Sequence, residues 1–263
     1  MNFTHANGIV LHYEDTGGDR PAIAFANSLG TDFRIWDKVV AGLRPDYRII
    51  RYDKRGHGLS EATPAPYAMT DHVNDLAALL DELRVKSAVI VGLSVGGVIA
   101  QGLAAMRPDL VRGLVLSNTA HKIGTNESWN ARIATVEANG IEYIADNVMK
   151  LWFTQAFRSP SNAEFVGCRA MLVRSPLAGY LGTCAALRDS DLTESTRALK
   201  VPALCLVGDQ DGSTPPDLVR SLADLIHGSQ FRVIADAGHI PCVEQPAAVV
   251  ALIRQFLTTA RLA

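Results

Sequence analysis

Ser87-Ala-Val-Ile-Val-Gly92-Leu-Ser94-Val-Gly-Gly97-Val-Ile-Ala-Gln-Gly-Leu-Ala-Ala-Met106 runs for 20 residues between Lys86 and Arg107 without a formal charge. By length alone such a stretch could span a bilayer. Its interior argues against that reading. Ala88 to Val91 is a short apolar run of strand type, and Gly92, Ser94, Gly96 and Gly97 break the stretch before a helical segment begins. Gly92-Leu-Ser94-Val-Gly96 is therefore G-x-S-x-G set between a strand and a helix, the context that gives the motif its chemical meaning. A serine on so sharp a turn is held in strained backbone geometry. Side chains at positions 92 and 96 would collide with neighbouring backbone. In return the hydroxyl stands exposed beside a helix N-terminus, whose dipole favours developing negative charge. On this reading the stretch lacks charge because its strand and helix start are buried in the middle of a sheet.

Working outward, Ile9 to Glu14 alternates, with Ile9, Leu11 and Tyr13 on one face, and reads as a half-buried strand. Ala22–Ala26, Arg48–Tyr52, Gly113–Ser117, Ala203–Val207 and Phe231–Ala235 are short apolar runs that fit parallel strands covered on both faces. Helical patterns fall between them. Thr70 is expected to cap one that buries Val73, Leu76, Ala77, Leu80 and Leu83, with Asp71 in its first turn. Pro215 and Pro216 suit the start of another, facing Leu218, Val219, Leu222, Leu225 and Ile226 inward, and Pro246 opens a last one. Strands alternating with helices predict an α/β fold with a mostly parallel, doubly wound sheet. Residues 120–197 break the rhythm. They contain Trp129 and Trp152 but no clear strand, and read as a helical cap inserted into a core made of residues 1–119 and 198–263. Such a cap would lie over the carboxyl ends of the strands, where open α/β sheets bind ligands.

A serine nucleophile needs a base, and the base needs an orienting acid, expected here in the chain order Ser, Asp, His. His239 lies just after the last predicted strand, in Asp236-Ala-Gly-His239-Ile-Pro241; the other six histidines lack that position. The acid is expected after the strand Ala203–Val207, in Gly208-Asp-Gln-Asp211-Gly-Ser-Thr-Pro215. Asp211 has the favoured spacing before the turn. Asp209 is the second candidate, with turn capping as its structural role.

Composition narrows the partners. The 263 residues carry 25 Lys and Arg against 27 Asp and Glu, a net charge of −2, so no basic excess points to nucleic acid or an anionic membrane. With 48% hydrophobic and 20% charged residues, disorder is excluded. Met1 to Gly8 has neither the basic nor the apolar region of a signal peptide. Cys168, Cys184, Cys205 and Cys242 form no CxxC pair and match no zinc spacing. These features predict a cytoplasmic protein with reduced thiols and no metal or organic cofactor.

Four landmarks together resemble the α/β-hydrolase superfamily over essentially the whole chain: the Asn27-Ser-Leu-Gly30 loop, Asp53-Lys-Arg-Gly-His-Gly-Leu-Ser60, the Gly92–Gly97 serine turn, and the Asp211/His239 pair. A closer resemblance is to 3-oxoadipate enol-lactonases, which share the Asn-Ser-Leu-Gly-Thr-Asp form of the early loop, here Asn27–Asp32. Most superfamily members have His-Gly at its first two positions. The resemblance implies hydrolysis of a small anionic enol-lactone to 3-oxoadipate in aromatic catabolism, with catalytic Ser94, Asp211 and His239. The oxyanion hole would be the backbone N–H groups of Leu29 and Val95. Ser28, Trp129, Arg132 and Trp152 are the candidate substrate contacts. Arg55 and His57 are expected to be structural.

Between residues 150 and 188, five cations (Lys150, Arg158, Arg169, Arg174, Arg188) face one anion, Glu164, so a cationic cap could attract a carboxylate substrate. Other enzymes on the same scaffold remain as alternatives: general esterases, cofactor-free perhydrolases and carbon–carbon bond hydrolases. Perhydrolases tend to have Pro where Leu29 stands, and dehalogenases and epoxide hydrolases use an Asp nucleophile where Ser94 stands. A small-molecule receptor that keeps its triad is the remote alternative.

Overall fold

The structure is a computed structural model and describes residues 2–262. Its strands are β1 (Asn2–Ala6), β2 (Ile9–Asp15), β3 (Ala22–Ala26), β4 (Arg48–Tyr52), β5 (Ala88–Leu93), β6 (Val111–Ser117), β7 (Ala203–Gly208) and β8 (Gln230–Ile234). They form one sheet in the order β1-β2-β4-β3-β5-β6-β7-β8. All pairings from β4 onward in that order are parallel, while β1 and β2 add an antiparallel edge. The two middle strands, β3 and β5, are buried along their whole length, as their unbroken apolar runs predict.

Helices α1 (Asp37–Leu43), α2 (Met69–Glu82) and α3 (Val95–Met106) join the first six strands. Five more lie between β6 and β7: α4 (Asn126–Asn139), α5 (Ile141–Trp152), α6 (Ala163–Val173), α7 (Leu177–Arg188) and α8 (Thr193–Arg197). Helices α9 (Pro216–Leu225), α10 (Pro241–Glu244) and α11 (Pro246–Thr259) complete the chain. The inserted helices meet the loops at the carboxyl ends of the strands. Trp152, Leu172 and Tyr180 lie around Gly30, after β3; Leu151 lies against Gly212, after β7; Trp152 also touches Gly238, after β8.

Three local expectations are corrected. Helix α2 starts at Met69, one residue before Thr70; Asp71 rather than Thr70 closes its end, its Oδ2 accepting from the Ala68 N–H at 2.8 Å. The run Phe231–Ala235 becomes an edge strand, with Arg232 and Val233 exposed, because no strand lies beyond β8 to cover it. Strand β1 was not expected from its mostly exposed, polar residues; the Asn7-Gly8 turn, both residues at positive φ, folds it back on β2. The uncharged stretch from Ser87 divides into β5, a turn and α3, and no helix among the described residues is long and apolar enough to cross a membrane.

Candidate active site

Ser94 sits between β5 and α3 at φ 57° and ψ −120°, a conformation that residues with a side chain rarely adopt. Four hydrogen bonds hold it there. Its N–H donates to the Ser117 carbonyl at 3.0 Å, and its own carbonyl accepts from Thr119 Oγ1 at 2.7 Å and from the Gly97 and Val98 amides at 2.8 and 3.2 Å. The flanking glycines are required by close approach. A Cβ on Gly92 would strike the Gly96 carbonyl, and one on Gly96 would strike the Ala26 carbonyl at the end of β3. Ser94 is 7% exposed, and among the described residues its Oγ has no hydrogen-bond partner.

The loop after β7 supplies Asp211 and the loop after β8 supplies His239, both buried. His239 Nδ1 lies 3.0 and 2.9 Å from the two carboxylate oxygens of Asp211. Donation of Nδ1–H to the carboxylate leaves Nε2 of the neutral ring free to accept a proton. Asp211 also accepts from the Ser213 and Thr214 amides at 2.7 and 3.0 Å and from Thr214 Oγ1 at 2.7 Å. Burial pushes the Asp211 carboxyl up, but the His239 imidazole and the Thr214 donors outweigh it and hold the group below its ordinary range. Asp209 is exposed and only caps a turn, accepting from the Ala237 N–H at 3.2 Å.

Asn118, which the motifs did not single out, joins these parts. It follows β6 at φ 50°, in the left-handed region that Asn tolerates. Its Nδ2 donates to Asp211 Oδ2 at 2.9 Å and to the Gly238 carbonyl at 3.1 Å. Its neighbours Ser117 and Thr119 bond the Ser94 N–H and carbonyl from outside the turn. Residues 117–119 thus tie the serine turn to both the acid and the histidine loop. The signal in the sequence was a Ser-Asn-Thr run directly after a strand, which is too common in loops to stand out.

The Asn27–Asp32 loop after β3 lies against the first turn of α3, since Gly96 touches the Ala26 and Asn27 carbonyls. Among the described residues, neither the Leu29 nor the Val95 amide donates to a protein acceptor. Ser28 is buried, with its carbonyl turned into the loop's own bonding. Gly30, at φ 71°, donates its N–H to His57 Nε2 at 3.0 Å. Trp152 approaches this loop at Gly30, and its carbonyl accepts from the His239 amide at 2.8 Å. Arg132 on α4 donates to Tyr180 Oη at 3.2 Å, stacks 5.7 Å from the Trp129 ring, and has no carboxylate partner among the described residues. Trp129 itself donates to the Ile123 carbonyl at 2.6 Å, an anchor within the inserted segment. The expected cationic field is partly cancelled there. Arg169 pairs with Asp146 and Glu142, and Arg188 pairs with Asp189, acids just outside the span that showed the excess. Arg55 is structural, paired with buried Asp75 at 2.6 Å. An open cavity of about 780 Å³ borders Thr31 and Asp32 but none of Ser94, Asp211 or His239. Among the described residues no group of three His, Cys, Asp or Glu side chains is arranged to hold a metal ion.

Residues 21–246 match the family model for the alpha/beta hydrolase fold. The chain belongs to the α/β-hydrolase family. This α/β-hydrolase is 34% identical over 256 residues to 3-oxoadipate enol-lactonase 2 of Acinetobacter baylyi, covering 95% of this chain and 96% of the relative. The enol-lactonase from Burkholderia xenovorans LB400 superposes with a TM-score of 0.94 at 35% identity, over 98% of this chain and 100% of that one. A thermophilic esterase from Thermogutta terrifontis, solved with malate bound, superposes with a TM-score of 0.92 at 28% identity, over 99% of each chain. The α/β-hydrolase is thus an enzyme closely related to the 3-oxoadipate enol-lactonases.

Proposed function

We propose that the protein hydrolyses 3-oxoadipate enol-lactone to 3-oxoadipate through an acyl-enzyme on Ser94, with His239 as base and Asp211 as its orienting acid. The observation that carries this reading is the arrangement around the Ser94 turn. A buried Asp211–His239 pair is joined to it through residues 117–119, and among the described residues the Val95 amide next to it and the Leu29 amide, in the loop that packs on the start of α3, have no acceptor. Likeness to enol-lactonases over nearly the whole chain supports a lactone as the substrate.

In this mechanism Ser94 Oγ attacks the lactone carbonyl carbon and its proton passes to His239 Nε2. The oxyanion that forms takes hydrogen bonds from the Leu29 and Val95 amides, each worth about 3 kcal/mol in the transition state. Collapse expels the ring oxygen, which receives the proton from His239 and leaves as an enol that tautomerises to the ketone. A water molecule then attacks the acyl-enzyme, gives its proton to His239 and releases the carboxylic acid, and Ser94 regains its proton. One water is consumed. Asp211 keeps Nδ1 protonated and stabilises the imidazolium in both steps.

Residues 120–197 act as the cap, and Arg132 is the anchor for the substrate carboxylate. A cation beside the loop with no acidic partner among the described residues supports that role. Malate, held by the T. terrifontis esterase, is likewise a small carboxylic acid. Trp152 walls the pocket, and Ser28 and Trp129 act behind it. Four unpaired cysteines, all buried, support a cytoplasmic setting.

The test is an ultraviolet assay with freshly generated enol-lactone. Rapid loss of the enol absorbance in step with acid release is the expected result. Undiminished absorbance beside brisk hydrolysis of neutral aryl esters would replace the lactone with a simple ester as substrate.

A further inference from the structure

Lys54 is a buried cation, 1% exposed, that has no ion-pair partner among the described residues. It follows β4 and reaches under the Asn27–Asp32 loop. Its Nζ donates to the Ser28 carbonyl at 2.5 Å and approaches the Thr31 carbonyl at 3.4 Å. The Ser28 carbonyl also accepts from Thr31 Oγ1 at 2.9 Å and from the Thr31 amide at 3.3 Å. One oxygen therefore gathers three donors.

The consequence lies in peptide geometry. The Ser28 carbonyl and the Leu29 N–H belong to one planar trans peptide unit, so they point in opposite directions. Whatever fixes the carbonyl aims the amide. The next amide, that of Gly30, is bound separately to His57 Nε2 at 3.0 Å, and His57 Nδ1 sits 3.2 Å from the Arg55 carbonyl. His57 must therefore be neutral, with its proton on Nδ1. Burial, then the neighbouring Lys54 charge, pushes the His57 imidazole well below its ordinary value, in keeping with that state. With Gly30 held by His57, the Leu29 amide is left free, and its direction depends on the Ser28 carbonyl.

We propose that Lys54 is a positioning residue for the oxyanion hole: by holding the Ser28 carbonyl it points the Leu29 N–H toward the reacting centre. This rests on the reading of Leu29 as an oxyanion donor. The burial of Lys54 gives a second reason. A lysine enclosed with no carboxylate in ion-pair contact is costly; burial pushes its ammonium well below the ordinary lysine value, opposed by the more distant Asp53 and Asp32 carboxylates. An apolar side chain of similar length would occupy the site at less cost, so the ammonium's contribution lies in what it bonds.

The test is Lys54→Met, which keeps the stem and removes the donors. It is assayed on an activated acyl ester and on the thiono analogue, whose C=S sulfur accepts hydrogen bonds poorly. The expected result is a 10- to 100-fold fall in kcat, below the ~10²–10³ for loss of a whole oxyanion donor, with KM changed less than about 3-fold. The preference for oxo over thiono ester should shrink by a similar factor. Wild-type kcat, or equal losses on both esters, would overturn the proposal. Ser94→Ala run in parallel separates the two readings: if it too keeps activity, the serine mechanism itself is wrong, whereas an inactive Ser94→Ala beside an unaffected Lys54→Met rejects only the role of Lys54. Should Lys54→Met not fold, as judged by circular dichroism, Thr31→Val removes another donor to the same carbonyl. A several-fold loss of kcat at constant KM then supports the proposal, and wild-type kcat overturns it.

Discussion

In the proposed mechanism the chemistry turns on Ser94, whose Oγ has no hydrogen-bond partner among the described residues. Ser94→Ala should therefore fold normally and lower kcat by about 10⁴-fold or more; steady-state assay with a melting curve checks both halves. Asp211 links chemistry to stability. Its folded carboxyl lies below the ordinary value of 3.8. A depressed acid contributes stability that is present above its unfolded pKa and is lost as pH falls through the folded one. The advantage of wild type over Asp211→Asn in unfolding free energy should thus be level above about pH 5 and close below pH 3.8. Denaturant titrations across that range would expose a wrong sign as a gap that widens with acid. Activity of Asp211→Asn should drop about 10⁴-fold, because the amide can present the wrong group to Nδ1 and favour the wrong tautomer.

At the scale of elements, one contact joins the inserted segment to the His239 loop and a second ties two inserted helices together beside Gly30. Glu244 on α10 accepts from the Thr154 amide at 3.0 Å, from Thr154 Oγ1 at 2.8 Å and from the Gly238 amide at 2.6 Å. Glu244→Gln would set an NH2 group against one of these N–H donors. A loss of about 2 kcal/mol follows, or roughly 4–8 °C in Tm for a chain of this size; an unchanged Tm would show that the bonds are replaceable by water. The second contact runs from α4 to α7, where Arg132 meets Tyr180 beside Gly30. Arg132→Met should raise KM for the anionic lactone about 10-fold or more and leave KM for a neutral ester nearly unchanged. Equal effects on the two substrates would assign Arg132 to packing alone.

Across the whole molecule, the buried apolar residues form one continuous cluster that includes both the sheet strands and the inserted helices, from Phe25 and Ile90 to Trp152, Leu172 and Tyr180. Sheet and inserted helices should therefore unfold together. Tryptophan fluorescence, which reports Trp36 under the sheet and Trp129 and Trp152 in the inserted helices, should melt with the same midpoint as the far-ultraviolet circular dichroism. Two separated transitions would make the insertion an independent unit. The same continuity explains why the loops at one end of the sheet can be held so closely. The backbone of α5 reaches His239 through Trp152, and the side chains of α6 and α7 close over Gly30.

The parallel strands were legible because strands covered on both faces become uninterrupted apolar runs, and the serine turn because only glycine fits where Gly92 and Gly96 meet backbone. Asp211 and His239 could be placed by chain order relative to those strands. Edge strands were harder. β1 is mostly exposed and polar, so it left almost no apolar pattern, and the Asn7-Gly8 turn was its one clear signal. What the sequence by itself determined is the succession of buried strands and their connecting helices and the candidates for the reactive groups, since both follow from local apolar pattern and residue chemistry. Only the tertiary structure decided which of two nearby aspartates meets the histidine, that Asn118 bridges three loops, that Arg169 on α6 meets the acids of α5, and that a buried lysine holds the Ser28 carbonyl. Those facts depend on partners as far apart as 120 residues along the chain, as in the Asn118 to Gly238 bond, and no local pattern records such a distance.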